Sequence, residues 1–371
     1  MKYFSSKKIW QWTLLAFLFA GCRPPSPVPD APGSPTGWET QNSGIQASLG
    51  GIYFLDAQNG WLTGNKGIIL HTTDGGQHWS VQETGTQTLL VSIFFVTPKR
   101  GWAVGEKGQI LFTEDGGQKW VVQESGQPKK NLLHVFFTSP EQGWVAGEKG
   151  LLLSTTDGGQ HWASTEVKPA VSFNSIFFVN PKQGWITGDA GNIFYTEDGG
   201  VNWVRQESGT EKDLHRIFFS RPEVGWAVGG AGTILHTKDG GKSWAPQTSG
   251  VPTFLLGLFF INDQVGWAVG ASGTILNTKD GGTTWQQQVS GTINFLTNVF
   301  FVDPQVGWVI GIKGTIFHTK RGGEPPPSRS RKSKRKKKRS ERQRGRRKTR
   351  IAPFRKIPAG GGRACGEDLP V

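Results

Sequence analysis

Cysteine is almost missing from this chain: Cys22 and Cys365 are the only two, and none lies between them. A fold built in that interval uses no disulfide, and no Cys/His spacing offers a metal site. Long apolar runs are scarce as well. Residues 12–20 form an apolar stretch too short to cross a bilayer as a helix. Farther along, the runs stop at four or five residues, with no window long or periodic enough for a helix. No Ser/His/Asp arrangement and no glycine-rich phosphate loop appears. These absences leave no marked catalytic, cofactor or metal site.

What is abundant is repetition. Seven Gly-Trp pairs end at Trp61, Trp102, Trp144, Trp185, Trp226, Trp267 and Trp308, spaced by 41 or 42 residues. A fixed period of this size means one supersecondary unit copied seven times. Each copy carries short runs rich in β-branched and aromatic residues, bounded by Gly, Pro or Asp, which is strand vocabulary. Four strands in about 41 residues is the size of one propeller blade. The sequence therefore predicts an all-β, seven-bladed β-propeller of four-stranded blades over residues 38–320. The first strand of every copy holds an aromatic doublet, from Tyr53-Phe54 to Phe300-Phe301. Successive strand side chains point to opposite faces, so a doublet predicts burial of both faces between neighbouring blades.

A second motif lies between the third and fourth strands. It runs Thr72-x-Asp74-x-Gly76-x-x-Trp79 and recurs around Asp115, Asp157, Asp198, Asp239 and Asp280. This resembles the Asp-box, or bacterial neuraminidase, repeat. The aspartates are expected to cap backbone amides in tight turns, with Gly supplying positive φ. As metal ligands they fail, because they stand one blade apart and each turn offers a single carboxylate.

The seventh copy has Arg321 at the Asp position and no Trp after it. An unpartnered outer-strand segment sits at the other end of the chain, where Trp38-Glu39-Thr40-Gln41 parallels Trp79-Ser80-Val81-Gln82. Trp38 is thus predicted to begin the outer strand of the last blade. That arrangement closes the ring and removes its open edges.

Residues 1–21 read as a secretory leader, with Lys2, Lys7 and Lys8 before the apolar stretch and small residues at its end. Cys22 directly after Ala20-Gly21 resembles a bacterial lipoprotein signal, which implies lipid attachment at Cys22 and a membrane-anchored, exported protein. Residues 22–37 are proline-rich and read as a stiff tether.

The net charge of +14 belongs to the C-terminal tail. Residues 24–319 hold 18 Lys/Arg against 24 Asp/Glu, whereas residues 320–371 hold 20 against four. The tail, residues 321–371, has little apolar content and is expected to be disordered. Three readings stay open: an arm for anionic surfaces, a solvated extension, or a frameshift product that begins where the repeat grammar breaks. Export argues against nucleic acid as a partner.

The Asp-box likeness raises a sialidase, or a carbohydrate-binding protein of the periplasm or cell surface, as the alternative. A sialidase needs an arginine cluster and a tyrosine nucleophile. Beyond the leader only Tyr53 and Tyr195 are available, both at positions where other copies hold Phe. Arginines before the tail are few: Arg23, Arg100, Arg205, Arg216 and Arg221. His71, His236 and His318 stand at equivalent third-strand positions and read as strand-face residues.

Taken together, the pattern Phe-Phe…Gly-Trp-Ala-Val-Gly…Thr-x-Asp-Gly-Gly-x-x-Trp resembles the photosystem II stability/assembly factor family. The resemblance implies a non-enzymatic scaffold without cofactors that binds a membrane-protein partner during complex assembly. That partner would be a photosystem II reaction-centre protein where the source is photosynthetic. It also implies a location in the thylakoid lumen, or in the periplasm or outer envelope of other bacteria. No binding residue carries over, because the matching motifs are structural.

Overall fold

The computed structural model describes residues 36–326. The leader, Cys22, the proline-rich segment through residue 35 and everything from residue 327 onward lie outside these residues. The described chain forms seven four-stranded antiparallel sheets arranged as a seven-bladed β-propeller. Blades 1 to 6 follow the chain in order, each running from its inner strand to its outer strand.

Blade 7 is assembled from both ends. Its first three strands, Leu296–Phe301, Val306–Gly311 and Ile316–Gly323, are completed by the N-terminal strand Gly37–Thr40. Glu39 lies opposite His318 and Thr40 opposite Phe317. The expected closing strand is therefore present. The third strand continues through Arg321 to Gly323, past the point where the sequence pattern breaks.

The core sits between blades. The seven Gly-Trp indoles are among the largest fully buried side chains. Each stacks on the second aromatic of the next blade's doublet, as in Trp61–Phe95 at 3.8 Å and Trp267–Phe301 at 3.5 Å between centroids. Trp308–Phe54 at 3.6 Å completes the circuit. The glycine before each Trp makes room for the second ring of its own blade's doublet, which is paired opposite it: a Cβ on Gly101 would meet the Phe95 ring at 2.6 Å. Large flat rings in stacked contact bury much apolar area per residue and add roughly 0.5–1.5 kcal/mol per pair beyond that burial.

The doublets behave differently from the expectation that both rings lie between neighbouring blades. The second ring does so, but the first turns toward the propeller axis. Tyr53, Phe94, Phe136, Phe177, Phe218, Phe259 and Phe300 meet in a closed circle, tilted 44–53° to one another with centroids 4.9–5.4 Å apart. The reason is position. On the innermost strand one face looks across the axis, where the other blades' counterparts provide the apolar surroundings.

Candidate functional site

The aspartates of the repeated turns are occupied locally. In blade 1 the Thr72 hydroxyl donates to Asp74 Oδ1 at 2.9 Å, and the His78 backbone N–H donates to the same oxygen at 2.9 Å. Thr72 Oγ1 in turn accepts from Gly76 N at 2.8 Å. The same set of bonds recurs at Asp115, Asp157, Asp198, Asp239 and Asp280. Donated hydrogen bonds stabilise the ionised carboxylate. Backbone N–H groups hold Asp74, Asp157 and Asp198 down to about 2, and the Ser243 hydroxyl, helped by its N–H, does so for Asp239. Blade 7 keeps the threonine half of the turn: Thr319 Oγ1 accepts from Arg321 N at 3.1 Å and Gly323 N at 2.8 Å. Among the described residues no group of three or more His, Cys, Asp or Glu could hold a metal ion.

The turns also form the seams of the ring. Each Gly-Trp indole N–H donates to a turn glycine carbonyl of the next blade, as in Trp61 to Gly116 at 3.1 Å and Trp226 to Gly281 at 3.1 Å. A glutamine from the preceding outer strand donates to that same carbonyl. In five of the seven seams its amide oxygen accepts from the turn tryptophan, whereas Gln41 Oε1 and Trp79 Nε1 are buried without a partner. Gln82 thus bridges Gly116 O at 3.0 Å and Trp120 Nε1 at 3.1 Å. Trp38 takes the tryptophan role in the last seam, donating to Gln288 Oε1 at 3.0 Å. One seam lacks its glutamine. Thr165 stands there, and Trp203 donates instead to Gly200 O within its own turn. Sequence reading found the Trp positions but missed the Trp-x-x-Gln spacing that pairs them with a latch.

The histidines at third-strand positions cover the buried indoles. His71, His236 and His318 stack on Trp61, Trp226 and Trp308 at 4.5–4.9 Å, and burial pushes all three below the usual imidazole range. Tyr53 belongs to the axial aromatic circle, with burial raising its hydroxyl to about 12. Tyr195 accepts from Gln183 Nε2 at 3.1 Å and packs at 5.1 Å from Trp185. Neither stands as an activated nucleophile. Arg100 lies over Trp102 and Phe112, and Arg221 pairs with Asp263 and Glu223. Among the described residues the arginines do not converge.

Among the described residues the ring has an axial channel, a cavity of about 260 Å³. Every inner strand carries a register shift after its first residue, and several residues just past it line the channel. Gly51, Ser92, His134, Arg216 and Asn298 line it above the aromatic circle. Ser92 Oγ accepts from Val135 N at 3.2 Å, and His134 Nδ1 lies 3.1 Å from Ile176 N. His134 and Arg216 were not singled out from sequence. The available signal was a break in repeat grammar, since other copies hold Gly, Ser or Asn at this position.

The sequence matches the model of one protein family, "Photosynthesis system II assembly factor YCF48", in overlapping segments from residue 33 to residue 324. The chain belongs to this family. Among solved structures it is similar to "YCF48 bound to D1 peptide", with TM-score 0.66 and 23% identity, covering 76% of this chain and 96% of that one. YCF48 from Cyanidioschyzon merolae is similar at TM-score 0.64 and 20% identity, covering 76% and 98%. The WD40 propeller domain of Doa1 aligns equally well in shape, at TM-score 0.64, with 11% identity over 76% and 96%. At these identities the structural likenesses report the fold; membership in the YCF48 family rests on the sequence match. No curated protein matches the sequence.

Proposed function

We propose that this propeller is a non-enzymatic assembly factor that binds a segment of a membrane protein, the photosystem II reaction-centre protein in a photosynthetic source. The observation that supports the reading is the family match across all seven blades, from residue 33 to residue 324. A relative with the same fold is described as bound to D1 peptide. The physical reading agrees in kind. The repeat residues are committed to seams and turns, which makes the molecule a rigid ring whose faces are free to bind. The test is affinity capture from solubilised membranes of the source organism, using the tagged full chain. Recovery of a reaction-centre protein is the expected result; recovery of no membrane protein would sink the reading.

Export and anchoring belong to the same proposal. Cys22 receives lipid, residues 22–37 act as the tether, and the propeller works at the outer side of a cytoplasmic or thylakoid membrane. Cys22→Ala should move the protein from the membrane fraction to the soluble fraction and abolish labelling by a fatty-acid probe. Retention of the variant at the membrane would refute the anchor.

A further inference from the structure

The axial channel holds a cation that the ring architecture does not use. Arg216 occupies the position just past the register shift at which other inner strands carry Gly51, Ser92, Ser175, Gly257 and Asn298. Among the described residues its guanidinium has no hydrogen bond and no ion pair, and its Nε is shielded from solvent without a partner. Burial draws the group down to about 10, so it stays charged at neutral pH. No carboxylate lines the cavity. The nearby imidazole of His134, held well below its usual range by burial and by Arg216, supplies no negative charge. Arg216 is partly buried, and an unpaired cation in such a place costs stability that no acidic side chain of the channel offsets. The wall below is apolar, formed by the circle of Phe94, Phe136, Phe177, Phe218 and their counterparts.

We propose that the axial channel is a carboxylate-binding site, in which Arg216 forks the carboxylate and the aromatic circle packs against a short apolar body. A planar guanidinium matches a carboxylate through two parallel hydrogen bonds, and a low-dielectric wall strengthens both. Ser92 and Asn298 stand at the same level as secondary polar contacts. The volume admits one side-chain-sized group, so the ligand is either a small free acid or the terminal residue of a polypeptide. This inference goes beyond the assembly-factor reading and does not depend on it.

The test titrates 3-phenylpropanoate into the full chain by calorimetry at low salt, with 3-phenylpropanamide as control. A short peptide ending in phenylalanine, as free acid and as amide, forms the second arm. Saturable binding of an acid with no binding of its amide is expected. Binding by the peptide acid alone would assign the site to a polypeptide end, and binding by the small acid to a free ligand. Arg216→Gln should weaken binding at least tenfold, while Arg216→Lys retains part of it. Arg216→Gln removes an unpaired charge, so its melting temperature should equal or exceed that of the parent. Ring-current shifts of the bound acid's methylene protons, measured on the unaltered chain, provide a readout that needs no variant. Absence of saturable binding by either acid, equal binding by Arg216→Gln, or equal competition by chloride would overturn the proposal.

Discussion

The indole N–H of Trp308 donates to the carbonyl of Gly75 at 3.1 Å, joining the last blade to the first across 233 residues of sequence. Gln41 Nε2 reaches the same carbonyl at 2.7 Å from the N-terminal strand. Two donors from one composite blade thus converge on one acceptor, and the ring closes without a covalent bond. Stability of the whole should therefore depend on the first few residues of the propeller.

Trp38→Ala is expected to cost about 3–5 kcal/mol, since Trp38 is buried against Phe301 and ties to Gln288. Urea unfolding followed by tryptophan fluorescence measures it. Removal of residues 36–41 should go further and broaden the transition, because the strand Ile316–Gly323 then becomes an open edge. An unchanged midpoint in the truncated chain would show that the ring does not need its N-terminal strand.

The missing latch can be supplied. Thr165→Gln places an amide where Gln82 and Gln123 stand in neighbouring blades, within reach of Gly199 O and Trp203. A gain of about 0.5–1.5 kcal/mol is expected from the added hydrogen bonds. Conversely, Gln82→Ala should lose about 1–2 kcal/mol, because it leaves the Trp120 N–H and one site on Gly116 O unpaired. Thermal melts of both variants decide the point; a destabilised Thr165→Gln would contradict it.

Acid should weaken the ring in two stages. Four turn aspartates have folded values of about 2, below the ordinary carboxylate value near 4. A lowered folded value means the stabilisation is complete above about pH 4 and is lost as pH falls toward 2. Burial also lowers His71, His134, His215, His236 and His318, so the unfolded chain takes up protons first below about pH 6.5. Circular dichroism melts should therefore decline below about pH 6.5 and show a further drop below about pH 4 as the aspartates protonate. Asp239→Asn should show a smaller drop, and equal drops in both proteins would argue against the turns as the cause.

The hairpin turns between second and third strands carry non-glycine residues in left-handed backbone. Ala231, at φ 53° and ψ 37°, is followed by Gly232 at φ 70°. Two such residues in succession form the turn that favours Asn-Gly. Ala231→Asn should raise stability by about 0.5–1 kcal/mol, as read from the denaturation midpoint. Ala231→Val should lower it, since a β-branched side chain tolerates this conformation least.

Much of this molecule was legible in advance because its repeats impose one solution seven times. The Gly-Trp interval set the blade count, and the short β-branched and aromatic runs set the strand type. The surplus Trp38 segment set the means of closure. Those signals are local or periodic, so a linear reading captures them. The two members of each aromatic doublet have different fates, and only the closed ring separates them: one meets the neighbouring blade's Trp, and the other meets the axis. The glutamine latches depend on a partner one blade away, near 34 residues along the chain, and on the exact height of a turn carbonyl. Arg216 is the clearest case. In the sequence it is one of a few scattered arginines; in the ring its inner strand points it into the channel, away from any carboxylate. The sequence determined the architecture through repetition. Tertiary structure alone decided which odd residue out of a repeated position faces the axis, because that depends on how seven strands surround a common line.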